Sequence, residues 1–572
     1  MSTIAEVVVR SLADHGVAQV WGVVGDALNP ITDAIRREER IEWISVRHEE
    51  VASFAAGAQA QLTGTIGVCM GTVGPGSIHL LNGLYDAKKS GAPVLALCGQ
   101  VPTAEMGTDY FQEVDNDRLF ADVSVFAHTL TSAAQLPHLL EEAVNTAYAR
   151  SGVAVLTLPG DVGSQAADGV AVPGFSPPPR GAAAAPEQLA PAVAALRGST
   201  ACTLLVGCGA REARDEVLAL AERLQSPMVL TLKAKDGLEG DNPNQVGQSG
   251  LIGNPAAAVA MDKCDVLFLI GTDFPYREWY PEGKTVIQLD HDQARIGRRV
   301  SVDHALVGDA VATLRDLLPQ LTARTDSDHL DTALDAYHSW CERQATVAEP
   351  EKPHGLIGRV RGVFDNPDGR IRPEALAVAV DRHAPADAIF TSDTGMSTAW
   401  LARFVTMSGT RRLLGSYNLG SMANALPQAM GAQALDRRRK VVAFCGDGGL
   451  MMLLGDMRTA VTHGLPVVLI VFDNGRLGMV KLEQEQGGLP EFGTVLDNPD
   501  LAVVATAMGL TGRRVEDVGD LDEAVVWALQ QSGPVLLDVV TNPDEIAIPP
   551  KVTLGDGWGF AIAKIQESLE SR

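Results

Sequence analysis

Short apolar runs rich in β-branched residues alternate along this chain with longer stretches whose apolar positions recur at helical spacing. The runs at 93–98, 153–162, 203–209, 266–273, 441–448 and 467–474 are apolar almost throughout, without the regular alternation of a half-exposed strand. Strands buried on both faces read this way, and the helical stretches between them supply the crossovers of parallel sheets. The pattern predicts an α/β protein. Several runs end in Gly with Asp, Thr or Asn, at the carboxyl edge where open α/β sheets hold ligands.

Two breaks interrupt the alternation. The stretch from about 164 to 186 carries Pro177, Pro178 and Pro179 and a run of four Ala, and it reads as a linker. A second polar stretch, from about 324 to 372, contains Pro350, Pro353 and Pro367 and is expected to mix a helix with an irregular crossing. The expected organisation is three doubly wound parallel-sheet domains over 1–170, 187–335 and 355–545, with a tail at 546–572.

Composition narrows the function. At 46% hydrophobic and 20% charged residues the chain has enough apolar material for large cores, which excludes disorder. A net charge of -25 repels phosphate backbones and anionic headgroups, so nucleic-acid binding is excluded and membrane contact is peripheral at most. An anionic ligand would need a local device. Seven cysteines without a CxxC pair read as reduced, buried thiols and a cytoplasmic setting, at most peripheral at the inner face of the membrane. The N-terminal segment lacks the pattern of a secretory signal, and every apolar run falls short of a membrane span.

The strongest chemical signal is Gly446-Asp447-Gly448-Gly449 after an apolar run, with Asn474 at the end of the next run, 27 positions after Asp447. A carboxylate and an amide oxygen on neighbouring strand tips suit one Mg²⁺, which leaves other positions for phosphate and water. The glycines let backbone N–H groups approach a diphosphate at a helix start. Together the two elements resemble the diphosphate motif of thiamine diphosphate (ThDP) enzymes. That resemblance implies Asp447, Asn474 and the carbonyl of Arg476 as Mg²⁺ ligands, with Gly475, Leu477, Gly478, Met479 and Val480 beside the cofactor.

Glu49 follows His48 before an Ala-rich helical stretch. By itself it is a helix N-terminal carboxylate stabilised by the helix dipole. In ThDP enzymes a glutamate in this place hydrogen-bonds N1′ of the aminopyrimidine and activates C2, a proton-exchange role. The resemblance extends to Gly25, to Gly74, Gly76 and Asn82, to Gly395 with Thr394 beside it at a cofactor-binding position where the family's pattern has Val, and to Gly420, Ser421 and Met422. Met422 matches the bulky residue that wedges beneath the cofactor. In that family the pyrimidine and diphosphate sites come from different subunits, so self-association is implied, at least a dimer, with a homotetramer expected.

Nearly the whole chain resembles the flavin-containing pyruvate oxidases, above all their acetate-forming, quinone-linked branch. The segments carrying the likeness include WGVVGDALN (21–29), RHEEVASFAAGAQAQLTG (47–64), YFQEV (110–114), GLIG (250–253), GTDFPYR (271–277), RRLLGSYNLGSMANALPQAMGAQ (411–433) and IAIPP (546–550). FAD is then expected against Ser249, Gly250, Leu251 and Ile252, against Thr272, Asp273, Phe274, Pro275 and Tyr276, and near Asp290. Phe111, Gln112 and Glu483 match substrate-pocket residues. Met479 departs from the pattern, since the relatives have an aromatic residue there. The implied reaction is oxidative decarboxylation of pyruvate, or a similar small 2-oxo acid, to acetate and CO₂ by carbanion and enamine chemistry on ThDP. Electrons pass to FAD and then to a quinone or other acceptor. The alternatives are an acetolactate synthase-type carboligase with structural FAD and a non-oxidative 2-oxo acid decarboxylase. An apparent insertion near 353–369 and a C-terminus shorter than that of the quinone-linked enzymes are further departures.

Overall fold

The computed structural model describes residues 2–171, 174–179, 181–272, 274–348 and 370–545. Asp273, the insertion expected near 353–369 and the tail 546–572 lie outside these.

The apolar runs form strands, all in parallel sheets of six. The first sheet contains β1 (Gln19–Gly22), β2 (Glu42–Ser45), β3 (Gly67–Gly71), β4 (Val94–Gln100), β5 (Ser124–Thr129) and β6 (Val153–Pro159), in the order β2-β1-β3-β4-β6-β5. The second contains β7 (Cys202–Val206), β8 (Met228–Leu230), β9 (Gln245–Gln248), β10 (Val266–Ile270), β11 (Thr285–Asp290) and β12 (His304–Val307), in the order β12-β11-β10-β7-β8-β9. The third contains β13 (Ile389–Ser392), β14 (Arg412–Gly415), β15 (Val441–Gly446), β16 (Val468–Asp473), β17 (Thr511–Val515) and β18 (Val535–Val540), in the order β14-β13-β15-β16-β18-β17. Counted within each sheet, the first and third share one order, 2-1-3-4-6-5, whereas the middle one has the dinucleotide-binding order 3-2-1-4-5-6. Strand order alone thus separates a pair of like domains from a third of different kind.

The like domains pack on each other. The helix Glu49–Thr63 lies against the helix Ala425–Leu435, and Val51, Ala52 and Ala55 share one apolar core with Ala425, Ala429 and Met430. Small residues allow this approach: a Cβ at Gly431 would stand 2.4 Å from the Ala55 carbonyl oxygen. The middle sheet is tied to the third by a buried carboxylate. Asp236 accepts from Arg211 with one oxygen and from Arg412 Nε, at 2.8 Å, with the other. The linker stretch 164–185 is irregular where described, and the polar stretch begins with the helix Asp328–Ala348.

Candidate active site

In doubly wound sheets ligands bind beyond the carboxyl ends of the strands where the order reverses. In the third sheet that point lies between β13 and β15. Ser392 pairs with Phe444 and Gly446 with Phe472, a register that brings Asp393, Asp447 and Asp473 out side by side at the strand tips. A cavity opens there, lined by Asp393, Thr394, Gly395, Met422, the turn Gly446–Gly449, Asn474 and the segment Arg476–Val480.

Asp447 is buried, and burial, with Asp473 adding to it, pushes its carboxyl up to about 7. Its Oδ1 accepts from Gly448 N at 2.9 Å, and its Oδ2 from Gly475 N at 2.8 Å and from Asn498 Nδ2 at 2.7 Å. The same Nδ2 reaches Asp473 Oδ1 at 3.0 Å, and Asp473 in turn accepts from Arg514. Asn474 Oδ1 accepts from Arg476 N at 3.0 Å, an Asx turn that holds the amide at the strand tip. The backbone also leaves room: Gly395 has φ +141°, and a Cβ built on it would meet nothing within 4 Å. A buried carboxylate carrying an ionisation penalty, an amide oxygen and glycine backbone form a donor set that fits a hard cation with a diphosphate.

Behind the turn stands Asp393, a residue not singled out from the sequence. It accepts from Ala425 N at 2.9 Å and from Gly446 N at 3.2 Å, so one side chain braces the turn and the segment after Met422 together. Burial pushes its carboxyl up to about 7. That segment carries backbone strain, since Ala423, next to Met422, has φ +64° without being glycine.

In the first sheet the reversal lies between β1 and β3, and there the structure gathers Gly25, Gly74, Gly76 and Glu49. A Cβ at Gly25 would stand 2.3 Å from Thr72 Oγ1, which is buried and has no hydrogen-bond partner among the described residues, and one at Gly76 would stand 3.3 Å from Glu49 Oε1. Glu49 begins its helix and is buried. Its Oε2 lies 2.9 Å from His79 Nδ1, and the His48 ring stacks on His79 at 4.5 Å. Gln112, at φ +66°, lays its carbonyl against Gly74, and Phe111 beside it is 78% exposed. Asn82 Nδ2 bonds Glu50 Oε1 at 2.7 Å and Ser421 Oγ at 2.9 Å, joining the like domains within one chain. Glu49, Phe111 and Gln112 do not line the cavity that holds Asp447.

In the middle sheet the reversal lies between β7 and β10. Gly207 is required there, because a Cβ would fall 2.2 Å from the Gly271 carbonyl oxygen. Thr272 is buried beyond β10, and Asp290 ends β11, buried, with its carboxyl raised by burial. Ser249, Leu251, Ile252, Phe274, Pro275 and Tyr276 line a cavity of about 280 Å³, and the ring of Phe274 abuts Gly250, which has φ +101°. Thr394, Gly395, Gly420, Met479 and Glu483 of the third domain close the same cavity. Thr394, Gly395 and Met479 line this space and the Asp447 cavity alike, so the two sites adjoin.

Residues 393–539 match the family described as thiamine pyrophosphate enzyme, C-terminal TPP binding domain; residues 2–119 match its N-terminal TPP binding domain and residues 189–317 its central domain. YdaP of Bacillus subtilis (strain 168), described as thiamine pyrophosphate-containing, is 35% identical over 100% of this chain and 97% of its own length. The chain belongs to the thiamine pyrophosphate enzyme family. A pyruvate oxidase of Lactiplantibacillus plantarum is 32% identical, covering 97% of this chain and 91% of that one, and a probable acetolactate synthase large subunit of Methanococcus aeolicus is 30% identical, covering 96% and 94%. Both branches of this thiamine pyrophosphate enzyme family thus align along nearly the whole chain at similar identity.

Asp393, Asn498, Thr72 and His79 were absent from the sequence reading. A signal existed for Asp393, which directly follows β13 and precedes Thr394-Gly395. None existed for Asn498, brought in by a loop 51 residues beyond Asp447.

Proposed function

We propose that the chain is an oxidoreductase that uses ThDP, Mg²⁺ and FAD to decarboxylate pyruvate or a similar small 2-oxo acid oxidatively, releasing acetate and CO₂ and passing electrons to a quinone or other acceptor. The reading is supported above all by the shared wall of Thr394, Gly395 and Met479, which sets the cavity of the dinucleotide-type middle sheet against the Asp447 cavity. Bound ThDP supplies a carbon nucleophile toward the keto group and an electron sink for the loss of CO₂, and bound FAD accepts two electrons.

The protein's part is positioning, charge and proton control. Asp447 and Asn474, with the Arg476 carbonyl, hold Mg²⁺, while the amides of Gly446–Gly449 and Gly475 and the segment Leu477–Val480 approach the diphosphate. Met422 projects into the same cavity from a strained segment and supports the cofactor's shape. Glu49 exchanges the activating proton through a carboxylate whose Oε2 is steadied by His79 Nδ1. Because Glu49, Phe111 and Gln112 do not line the Asp447 cavity of their own chain, they serve the Asp447 site of a second copy, in a dimer or a tetramer. Exposed Phe111 on the first domain, and exposed Val480, Leu489 and Phe492 on the third, suit burial between copies. Met479, in the wall common to the two cavities, and Glu483, in the middle-domain cavity, face the substrate. The domains 1–170, 187–335 and 355–545 thus carry pyrimidine, flavin and diphosphate sites in that order, and the enzyme works in the cytoplasm. Among the described residues no helix is long and apolar enough to cross a membrane.

A carboligase of the acetolactate synthase type, with FAD kept for structure, is the second reading, on the strength of the relative matched at 30% identity. Anaerobic pyruvate separates them. With ThDP and Mg²⁺ present, the oxidase reading requires the bound flavin to bleach and acetate to form. A flavin that stays oxidised while acetolactate accumulates refutes it and favours the carboligase.

A further inference from the structure

Where the three domains meet, a second cavity of about 340 Å³ lies behind the middle-domain one and shares Cys208, Lys233 and Tyr417 with it. We propose that this junction cavity binds a small phosphate-bearing anion, held by Lys233, Arg211 and Arg412 with Gln61 as a neutral donor. No part of this rests on the oxidase reading.

Four observations carry it. First, Arg211, Lys233 and Arg412 line the cavity, and among the described residues no carboxylate does. In a chain of net charge -25 that is a local reversal of sign. Second, the cations are under-compensated. Arg211 and Arg412 share a single carboxylate, Asp236, and the Lys233 ammonium has no hydrogen bond or ion pair among the described residues, its charge being felt by buried Asp86. Third, Gln61 lines the same space, and its Nε2 is buried and has no hydrogen-bond partner among the described residues, an arrangement that costs free energy until an acceptor arrives. Fourth, the lining comes from every domain: Gln61 from the first, Arg211 and Lys233 from the middle, Arg412 from the third. Planar guanidiniums suit phosphate, a phosphate group carries nearly two negative charges at neutral pH, and the volume admits a nucleoside monophosphate. Because the ligand would bridge the three domains, its binding stabilises the folded chain by mass action.

The test is calorimetric titration of the full chain, with ThDP, Mg²⁺ and FAD saturating so that their own sites are filled, using inorganic phosphate and adenosine monophosphate as probes and acetate as the contrast, at constant ionic strength. One saturable phosphate site per chain is expected. Lys233→Met should weaken it by about tenfold or more, since it removes a charge-assisted contact. Gln61→Leu should weaken it by a smaller factor, and Lys284→Met, on the loop before β11, should leave it unchanged. Phosphate should raise the melting temperature of the parent and do so less in Lys233→Met. No saturable binding, or equal affinity in the parent and both cavity variants, overturns the site. Acetate binding as tightly as phosphate overturns the ligand class.

Discussion

Asn498 offers the sharpest single perturbation of the strand tips proposed to hold Mg²⁺. One amide nitrogen, Nδ2, donates to Asp447 Oδ2 at 2.7 Å and to Asp473 Oδ1 at 3.0 Å, holding two carboxylates that would otherwise repel. Hydrogen bonds to charged acceptors contribute about 1.5–3 kcal/mol each, and Asn498 is only partly buried, so Asn498→Ala should cost roughly 1.5–3 kcal/mol of site organisation. That corresponds to a loss of about 10- to 100-fold in Mg²⁺-dependent ThDP affinity, the usual range for residues that orient metal ligands. Asn498→Asp should act differently. A third carboxylate raises repulsion in the metal-free chain and draws a divalent cation more strongly, so the dependence on Mg²⁺ should steepen. Titrating apoprotein with Mg²⁺ at fixed ThDP, followed by intrinsic fluorescence and calorimetry, reads both effects without any assay of turnover. Parent-like Mg²⁺ and ThDP affinity in Asn498→Ala would refute the reasoning that this amide organises Asp447.

Gly449→Ala places a methyl 2.5 Å from Asp393 Oδ2 with both groups buried, so it should destabilise by about 1–3 kcal/mol and weaken ThDP binding; Gly533→Ala, where a Cβ meets nothing within 4 Å, should do neither. Thermal melts and ThDP titrations compare the two. Asp393→Asn tests the buried carboxyl. Folded, it titrates at about 7 against 3.8 as the ordinary value, so folding takes up a proton between those pH values, and the stability of the parent falls relative to the variant as pH rises through that window, by at most about 4 kcal/mol. Denaturant unfolding of the metal-free proteins at several pH values measures it, and a difference that stays flat with pH contradicts the assignment. Glu49→Gln should leave fold and cofactor affinity near the parent and slow C2 proton exchange by orders of magnitude, read by hydrogen–deuterium exchange on bound ThDP.

Much of this architecture was legible in the chain because parallel strands buried on both faces announce themselves as unbroken apolar runs, and five of the seven cysteines are buried within such surroundings. Asp447 and Asn474 were legible for the same reason, since they sit at the ends of two runs that pair in register. Strand order was not legible: nothing local distinguishes the 3-2-1-4-5-6 sheet from its neighbours, and that order depends on how long crossovers pack. Partners supplied by distant loops were also hidden. Asn498 lies in an ordinary turn-forming stretch, and His79 reads as a polar position in a short helix. The junction cavity was invisible because its lining residues come from all three domains and the linker.

In the proposed function two chains complete one site, with Glu49 on one and the Asp447 strand tips on the other. Glu49→Gln and Asp447→Ala each inactivate a homomeric enzyme on this account. Co-expression of the two variants, with the hybrid separated by differential tags, decides the matter. The hybrid should regain one intact site per dimer, giving about one quarter of parental activity in a random mixture. A purified hybrid as inactive as either variant alone would contradict the claim.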